Sequence, residues 1–468
     1  MHLWPVAVIG ALLVGSLRGA QASVPVEVGY QDFSFPAGTG VNSEVTAEKP
    51  ESKLWWNDGL WWASMWSTAG DAYHIHRLDL GTQSWVDTGT QLDIRSATKA
   101  DALWDGQHLY VVSHIWTGDG APSSDPTQWG RLYRYSYNIV TNTYTPDAGF
   151  PVDVTRGISE TLVVDKDSTG QLWVTYVEDS QVMINHSLNG DDKIWSTPFV
   201  LPVDNATGLT SDDISSVIAF GGRVGVMWSN QNQSTKKMYF AGHMDGDPVG
   251  NWQRVAAYSV SADDHINLKS LQADSAGNVF AAIKTSKNSA LIVLLVCRSL
   301  ACIAESDWSA YTVYNSSVHS PTRPALLIDT THRVLYIFTR NLDDGAGIYY
   351  KSTSMDDIQF AADEIGTVFI RSTADEGIND PTTTKQNLNA STGLVVLASD
   401  SGSKYYLHNY LSLGGPPPTA TPTPTPTDTA TAPGPTATHT PTATPGSGDT
   451  DHAFLPLIVN EVSSLAPH

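Results

Sequence analysis

Cysteine is almost missing from this chain. Two in 468 residues cannot build a disulfide framework or a thiolate metal cluster that carries the fold. Basic charge is scarce as well: 26 Lys and Arg stand against 48 Asp and Glu, and the net charge of -22 repels phosphate backbones and anionic membranes. Nucleic acid is therefore not an expected partner. Past the N-terminal segment no apolar run is long enough to cross a bilayer. Gly-x-Ser-x-Gly, the P-loop, the dinucleotide-binding glycine pattern and any recognisable Cys-nucleophile motif are absent too, which removes the most readable enzyme classes.

What is present is aromatic and turn-rich: 15 Trp, 18 Tyr and 37 Gly, the composition of an all-β protein. The stretch Gly59 to Trp66 recurs in kind at Leu109 to Ser113, Leu172 to Tyr176, Val224 to Trp228, Val279 to Ile283, Leu335 to Thr339 and Leu394 to Ala398. The pitch is about 55 residues, close to that of propeller repeats. An aromatic marks the expected fourth strand with the same period, at Trp85, Tyr144, Trp195, Trp252, Trp308 and Phe360. These aromatics are expected to fill the gaps between neighbouring blades.

The expected fold is thus a seven-bladed β-propeller of four-stranded antiparallel blades over residues 23–413. In the first unit the strands are read around Lys53 to Trp56, Leu60 to Met65, Ala72 to Leu78 and Trp85 to Leu92. The seventh unit supplies only three strands, read as 385–389, 393–398 and 404–411. Its fourth is expected from Val26 to Phe35, because closing the ring protects a bare sheet edge.

The flanks read differently. Residues 1–22 look like a signal peptide, with an apolar run from Leu3 to Leu17 and the small-residue site Ala20-Gln-Ala22; an uncleaved anchor is the alternative. Residues 414–450 form a Pro/Thr tract that cannot bury a core and reads as an extended stalk. The apolar tail at 451–468 is similar to the ends of bacterial secreted proteins that carry a surface-sorting motif, although it lacks the Thr-Gly of a sortase signal. A secreted or surface-attached monomer is expected. Cys297 and Cys302 bracket four residues after an apolar strand, a spacing that suits a hairpin disulfide in an oxidising compartment.

Arg77-Leu-Asp79-Leu-Gly81-Thr-Gln-Ser-Trp85 resembles the Asp-box of sialidase-type (BNR) propellers, stretched by one residue, with degenerate versions at 187–195, 245–252 and 354–360. In that motif the Asp ties down turn amides, so its role is structural. The resemblance implies a propeller group of hydrolases, lyases and noncatalytic binders. It carries no catalytic residue over: sialidases have six blades, and their Arg-Ile-Pro segment has only Arg323-Pro324 as a distant counterpart here.

Candidate site residues come instead from the loops expected at one channel face. Arg323, Arg340, Arg95, Arg156, Arg371 and Lys99 could fork onto a sugar carboxylate or sulfate. Glu160 and Asp101 are the carboxylates for acid and base work on a glycosidic bond, should the domain be a glycoside hydrolase or polysaccharide lyase. His114 lies at a strand end, and the Gly/Pro loop from Trp116 to Trp129 offers two aromatic platforms. No cofactor is expected and no catalytic metal. The doublets Asp263-Asp264 and Asp343-Asp344 have the chemistry for structural calcium but no EF-hand spacing. The expected partner is an extracellular glycan or surface polymer; the competing class is a noncatalytic structural or protein-binding surface domain.

Overall fold

A computed structural model describes residues 23–40, 42–232, 236–271, 278–316, 320–341 and 347–414. The expected leader, the Pro/Thr tract beyond Gly414, the apolar tail and the pair Asp343-Asp344 lie outside the described residues.

Seven four-stranded antiparallel blades follow one another. Blade 1 is Leu54–Asn57, Leu60–Ser67, Ala72–Asp79 and Ser84–Gln91; blade 2 is Thr98–Trp104, His108–Ile115, Arg131–Asn138 and Thr143–Pro146. Blade 3 is Val163–Lys166, Leu172–Glu178, Gln181–Leu188 and Asp191–Trp195; blade 4 is Ser215–Phe220, Arg223–Asn230, Lys237–Met244 and Trp252–Tyr258. Blade 5 is Ile266–Ser270, Val279–Lys284, Ile292–Cys297 and Trp308–Tyr314; blade 6 is Thr322–Asp329, Val334–Asn341, Gly347–Ser354 and Thr367–Arg371.

Blade 7 takes Ile378–Thr382, Leu394–Asp400 and Tyr405–Leu411 from the end of the chain and Tyr30–Ser34 from its beginning. Tyr30 pairs with His408 and Ser34 with Tyr405, so the leading strand closes the ring as the missing fourth strand had implied. The closure holds a buried hydrogen-bonded pair: His408 Nδ1 lies 2.8 Å from Asp32 Oδ1.

The second strands are apolar on both faces because a blade is packed on both sides. In Leu60–Ser67 every residue after Leu60 is buried. Apolar clusters accordingly lie in the seams: one joins blades 2 and 3 through Val112 and Tyr176, another blades 4 and 5 through Phe240 and Leu295, another blades 5 and 6 through Phe280 and Ile337. Trp61 and Trp62 are fully buried and donate their indole N–H groups to Thr392 O at 2.9 Å and Asn57 O at 3.1 Å. The expected disulfide is present, Cys297 to Cys302 with Cα atoms 5.8 Å apart.

Three readings need correction. The first strand of blade 7 is Ile378–Thr382, not 385–389. It carries a register shift between Asn379 and Thr382, and Pro381 falls inside that irregularity, where a missing ladder donor is tolerated. Phe360 does not open a fourth strand: that of blade 6 is Thr367–Arg371, and Phe360 packs ahead of it against the seam cluster. Trp195 ends its strand rather than opening it. Of the Asp-box turns, the first behaves as the resemblance implies, with Asp79 Oδ1 accepting from Gly81 N at 2.8 Å and Thr82 N at 3.2 Å. Asp245 instead reaches back to blade 3, accepting from Ser168 N and Oγ.

Candidate functional site

The channel mouth bearing the loops from strand four to the next strand one is crossed by the chain itself. After the closing strand, residues 36–40 and 42–53 run over the mouth before entering blade 1, and most of Val45 to Lys53 is buried. This strap is tied to blade after blade. Thr46 Oγ1 lies 2.8 Å from Ser399 Oγ, and Glu51 Oε1 accepts from Leu162 N at 3.0 Å and faces His114 Nε2 at 2.7 Å. Lys53 Nζ closes on Glu51 Oε2 at 2.8 Å.

At its centre stands Lys49, whose ammonium is bonded to Glu160 and Asp264 and lies 3.8 Å from Glu48 Oε2. Burial opposes its charge, but the Glu160, Glu48 and Asp264 carboxylates hold Lys49 protonated well above the usual lysine range. Burial, opposed by Lys49 and reinforced by Glu48, pushes the Glu160 carboxyl up to about 8. Asp264 also faces His265 Nδ1 at 2.7 Å, and Asp263 does the same at 2.7 Å. Among the described residues Asp263, Asp264 and His265 are the one group with several metal-type ligand atoms in mutual reach. Lys49 and Lys284 already pair with its carboxylates and His265 Nδ1 bonds to both, so it reads as a self-contained polar network.

The other expected site residues are dispersed. Asp101 lies deep in the channel, fully buried: it accepts from Ser52 N and Val164 N and pairs with Lys385 Nζ at 2.6 Å. His114 and Lys99 are likewise spent on the strap, His114 on Glu51 and Lys99 on the carbonyl of Glu44. Arg95 pairs with Asp93 at 2.7 Å and donates to Thr127 O and Trp129 O, which pins the Trp116 to Trp129 loop. Arg156 covers the Trp129 ring, its guanidinium carbon 4.9 Å from the centroid. The loop lies flat, with Ala121–Pro122 paired to Gly157–Ile158, and offers no free aromatic platform at Trp129. Arg371 ends blade 6, and its backbone pairs with Val28 in the lead-in.

Glu178 sits under this loop. Its side chain is packed so closely that a Cβ on Gly157 would come within 2.3 Å of Oε2, and that oxygen has no hydrogen-bond partner. Burial, with Asp179 adding to it, pushes the Glu178 carboxyl up to about 7. The folded chain then keeps a proton that the unfolded chain releases near its ordinary pKa, so Glu178 favours folding at low pH and that contribution is lost as pH rises to about 7. Glu178→Gln should therefore be more stable than wild type at pH 8, by about 2 kcal/mol, with the gap closing below pH 5. Urea midpoints of the two proteins across this range check it; a gap independent of pH would refute the assignment.

The seam of blades 6 and 7 differs from the paired-off centre. Arg323 and Asp380 have φ of 54° and 53°, left-handed backbone that non-glycine residues rarely adopt. Each sits in the register shift of its blade's first strand, and Arg323 Nε meets Asp380 Oδ1 at 2.8 Å. Around this pair four buried polar atoms have no hydrogen-bond partner: Arg323 Nη1, Arg340 Nε, Asn379 Oδ1 and Asp380 Oδ2. Asn379 and Asp380 are 8% and 4% exposed. Arg340 shares its strand face with Tyr336 and Phe338, which pack toward blade 7, so its guanidinium belongs to this seam.

Sequence reasoning missed Glu44, Glu48, Lys49, Glu51 and Asp380, and read Asp264 only as half of a calcium doublet. The run of charge between Glu44 and Lys53 was nonetheless a signal: three Glu and two Lys in a short loop ahead of a buried strand need partners.

No protein-family model matches the sequence, and no curated protein matches it. Solved structures similar in fold include a periplasmic gluconolactonase of Pseudomonas aeruginosa, 14% identical over 75% of this chain and 96% of that one, TM-score 0.44. An α-L-arabinanase of Penicillium chrysogenum, complexed with arabinobiose, is 11% identical over 73% and 100%, TM-score 0.43. The six-bladed fucose-recognising lectin of Aleuria aurantia is 13% identical over 69% and 98%, TM-score 0.39.

Proposed function

We propose that this chain is an exported propeller that binds extracellular carbohydrate, in the manner of a sialidase-like module without hydrolytic machinery, through an anionic group of the sugar at the blade 6 and 7 seam. The observation that carries the reading is the buried guanidinium edge without a hydrogen-bond partner, Arg340 Nε beside Arg323 Nη1, the latter 3.9 Å from Glu48 Oε2. Buried polar groups are normally satisfied, and an unused guanidinium edge is a ready partner for a carboxylate or sulfate. The paired bulges support it, since bulges with strained backbone re-aim side chains at binding sites.

Binding is favoured over cleavage because the two carboxylates expected to catalyse are committed elsewhere. Asp101 is locked to Lys385 and two backbone amides, and Glu160 is bonded to Lys49 beneath the strap.

Arg340→Ala is the clean test, since Arg323→Ala would also strand the buried Asp380. On an array of uronic-, sialic- and sulfate-bearing glycans, wild-type residues 24–413 should bind. The variant should lose about tenfold or more in affinity with an unchanged melting temperature. Equal binding by the variant removes the site, and release of sugar from a bound glycan would turn the binder into an enzyme. A blank array favours the second reading, a structural or protein-binding surface domain, for which the strap-filled mouth is the supporting observation.

A further inference from the structure

Blade 3 has a broken outer edge, and the break opens a groove. Its third strand, Gln181–Leu188, pairs with Asp191–Trp195 through Leu188 and Ser187, across a register shift, and again with Phe199–Val200 through Ile184 and Met183. Between the two pieces Thr197 and Pro198 make no ladder pair, and irregular edges of this kind re-aim side chains. Asn185 is buried there and stitches the floor together. Its Nδ2 donates to Val154 O at 2.9 Å, and its Oδ1 accepts from Ser196 Oγ. A cavity of about 370 Å3 lies over this floor, lined by residues 151–156, which lead from blade 2 to blade 3, and by the broken edge from Lys193 to Pro198.

Two cations line this cavity, Arg156 from the crossover and Lys193 from the edge, both on exposed residues, and among the described residues no carboxylate pairs with either. Their stems are held while their heads stay free. The Arg156 guanidinium carbon lies 4.9 Å from the Trp129 ring centroid, a stack that fixes its plane and leaves its N–H edges for a ligand. A Cβ on Gly149 would come within 3.0 Å of Lys193 Cδ, so the lysine stem rests on that backbone and carries its ammonium to the cavity. In a chain with 48 acidic against 26 basic side chains, two cations left without a carboxylate at one cavity point to an anion from outside. The one carboxylate of the lining is Asp153, exposed and 3.8 Å from Arg131 Nε, and it remains open to a hydroxyl donor. Trp195 supplies apolar wall: its indole N–H is spent on Asp192 O at 2.8 Å, so the ring is what it offers. A planar carboxylate presents one edge and suits a single guanidinium fork, whereas a tetrahedral oxyanion presents oxygens on several sides and suits a guanidinium and an ammonium from different elements. The volume is at the small end of ligand pockets, room for a sugar ring and its substituent.

We propose that this groove at the seam of blades 2 and 3 binds a sugar carrying a sulfate or phosphate ester, the tetrahedral anion held by Arg156 and Lys193, the ring laid against Trp195 and a hydroxyl taken by Asp153. The site rests on its own residues and not on the seam of blades 6 and 7. Either can fail without the other.

Calorimetric titration of the full chain tests it, in wild type and in Arg340→Ala, where the other seat is disabled. The probes are a galactose disaccharide with one 4-sulfate, its 4-phosphate counterpart, the unsubstituted disaccharide and inorganic sulfate. In both proteins an ester should bind more tightly than the unsubstituted disaccharide and than inorganic sulfate, by about tenfold or more, and the tighter of the two esters names the source of the anion. In the Arg340→Ala background, Lys193→Ala should weaken that ester by about tenfold, and Lys193→Glu, a charge reversal at an exposed position, should abolish binding with the melting temperature held. Absence of ester binding in Arg340→Ala, equal binding of the unsubstituted disaccharide or of inorganic sulfate, or full binding after Lys193→Glu would each overturn the assignment.

Discussion

Lys49→Met lowers the stability of the propeller by about 3–5 kcal/mol at pH 8, although it conserves side-chain volume and apolar contact. The ammonium it removes is 6% exposed and is the shared partner of Glu160, Asp264 and, at 3.8 Å, Glu48. A buried ion pair adds little over an apolar replacement of both partners, but removing one partner strands the other charge, and here it strands several. The effect must depend on pH. With Lys49 in place the Glu160 carboxyl already titrates at about 8 in the folded state, against 4.5 for the ordinary group. Folded protein thus holds this proton more tightly, and the stability it contributes is complete below about pH 4.5 and lost as pH rises through about 8. Without the ammonium to oppose it the carboxyl is pushed up further, so below about pH 8 both folded proteins hold the proton and the deficit of Lys49→Met is nearly constant, and above about pH 8, where only the wild type releases it, the deficit grows. Urea denaturation at pH 6, 8 and 9.5 reads both quantities. A deficit below 1 kcal/mol at pH 8 would mean that the strap is a loose cover and not the central tie of the mouth.

Asp32→Ala is expected to cost about 3 kcal/mol and to act on the closure of the ring. His408 is fully buried, and its Nδ1 lies 2.8 and 2.9 Å from the two Asp32 oxygens, while Nε2 reaches Gln83 Oε1 at 3.2 Å. Truncation leaves a buried imidazole without its main partner on the strand pair that joins the beginning of the propeller to its end. The loss should appear first as faster amide exchange in Tyr30–Ser34 and Tyr405–Leu411, while blades 3 and 4 keep their protection until global unfolding. Uniform weakening of all blades, with no early exchange in these strands, would show that closure is not set by this contact.

The parts of the fold that could be read from the chain are those where burial leaves a period. A blade strand packed on both faces must be apolar throughout, so Leu60–Ser67 and its counterparts announced themselves, and the fixed length of a blade made them repeat. The closing strand was legible for a related reason: three strands after Ile378 left an edge that some other segment had to cover. The first strand of blade 7 escaped because Pro381 and the irregular register at Asp380 break the alternation on which such reading depends. Arg323 and Arg340 were picked from their loops and do meet at one seam, whereas Asp101, Lys99 and His114 were picked on equal grounds and turned out to hold the strap. Local sequence cannot distinguish these, because both uses place a charged residue at a strand end.

The order of strands, the number of blades, the disulfide hairpin and the source of the last strand followed from the sequence by itself, since each is a consequence of apolar periodicity or of chain spacing. Which mouth is filled, which carboxylate keeps its proton and which guanidinium edge is left without a partner were decided by tertiary structure alone. Lys49 and Asp264 stand more than two hundred residues apart, and only the closing of the ring brings one to the other and fixes what charge is left for a ligand.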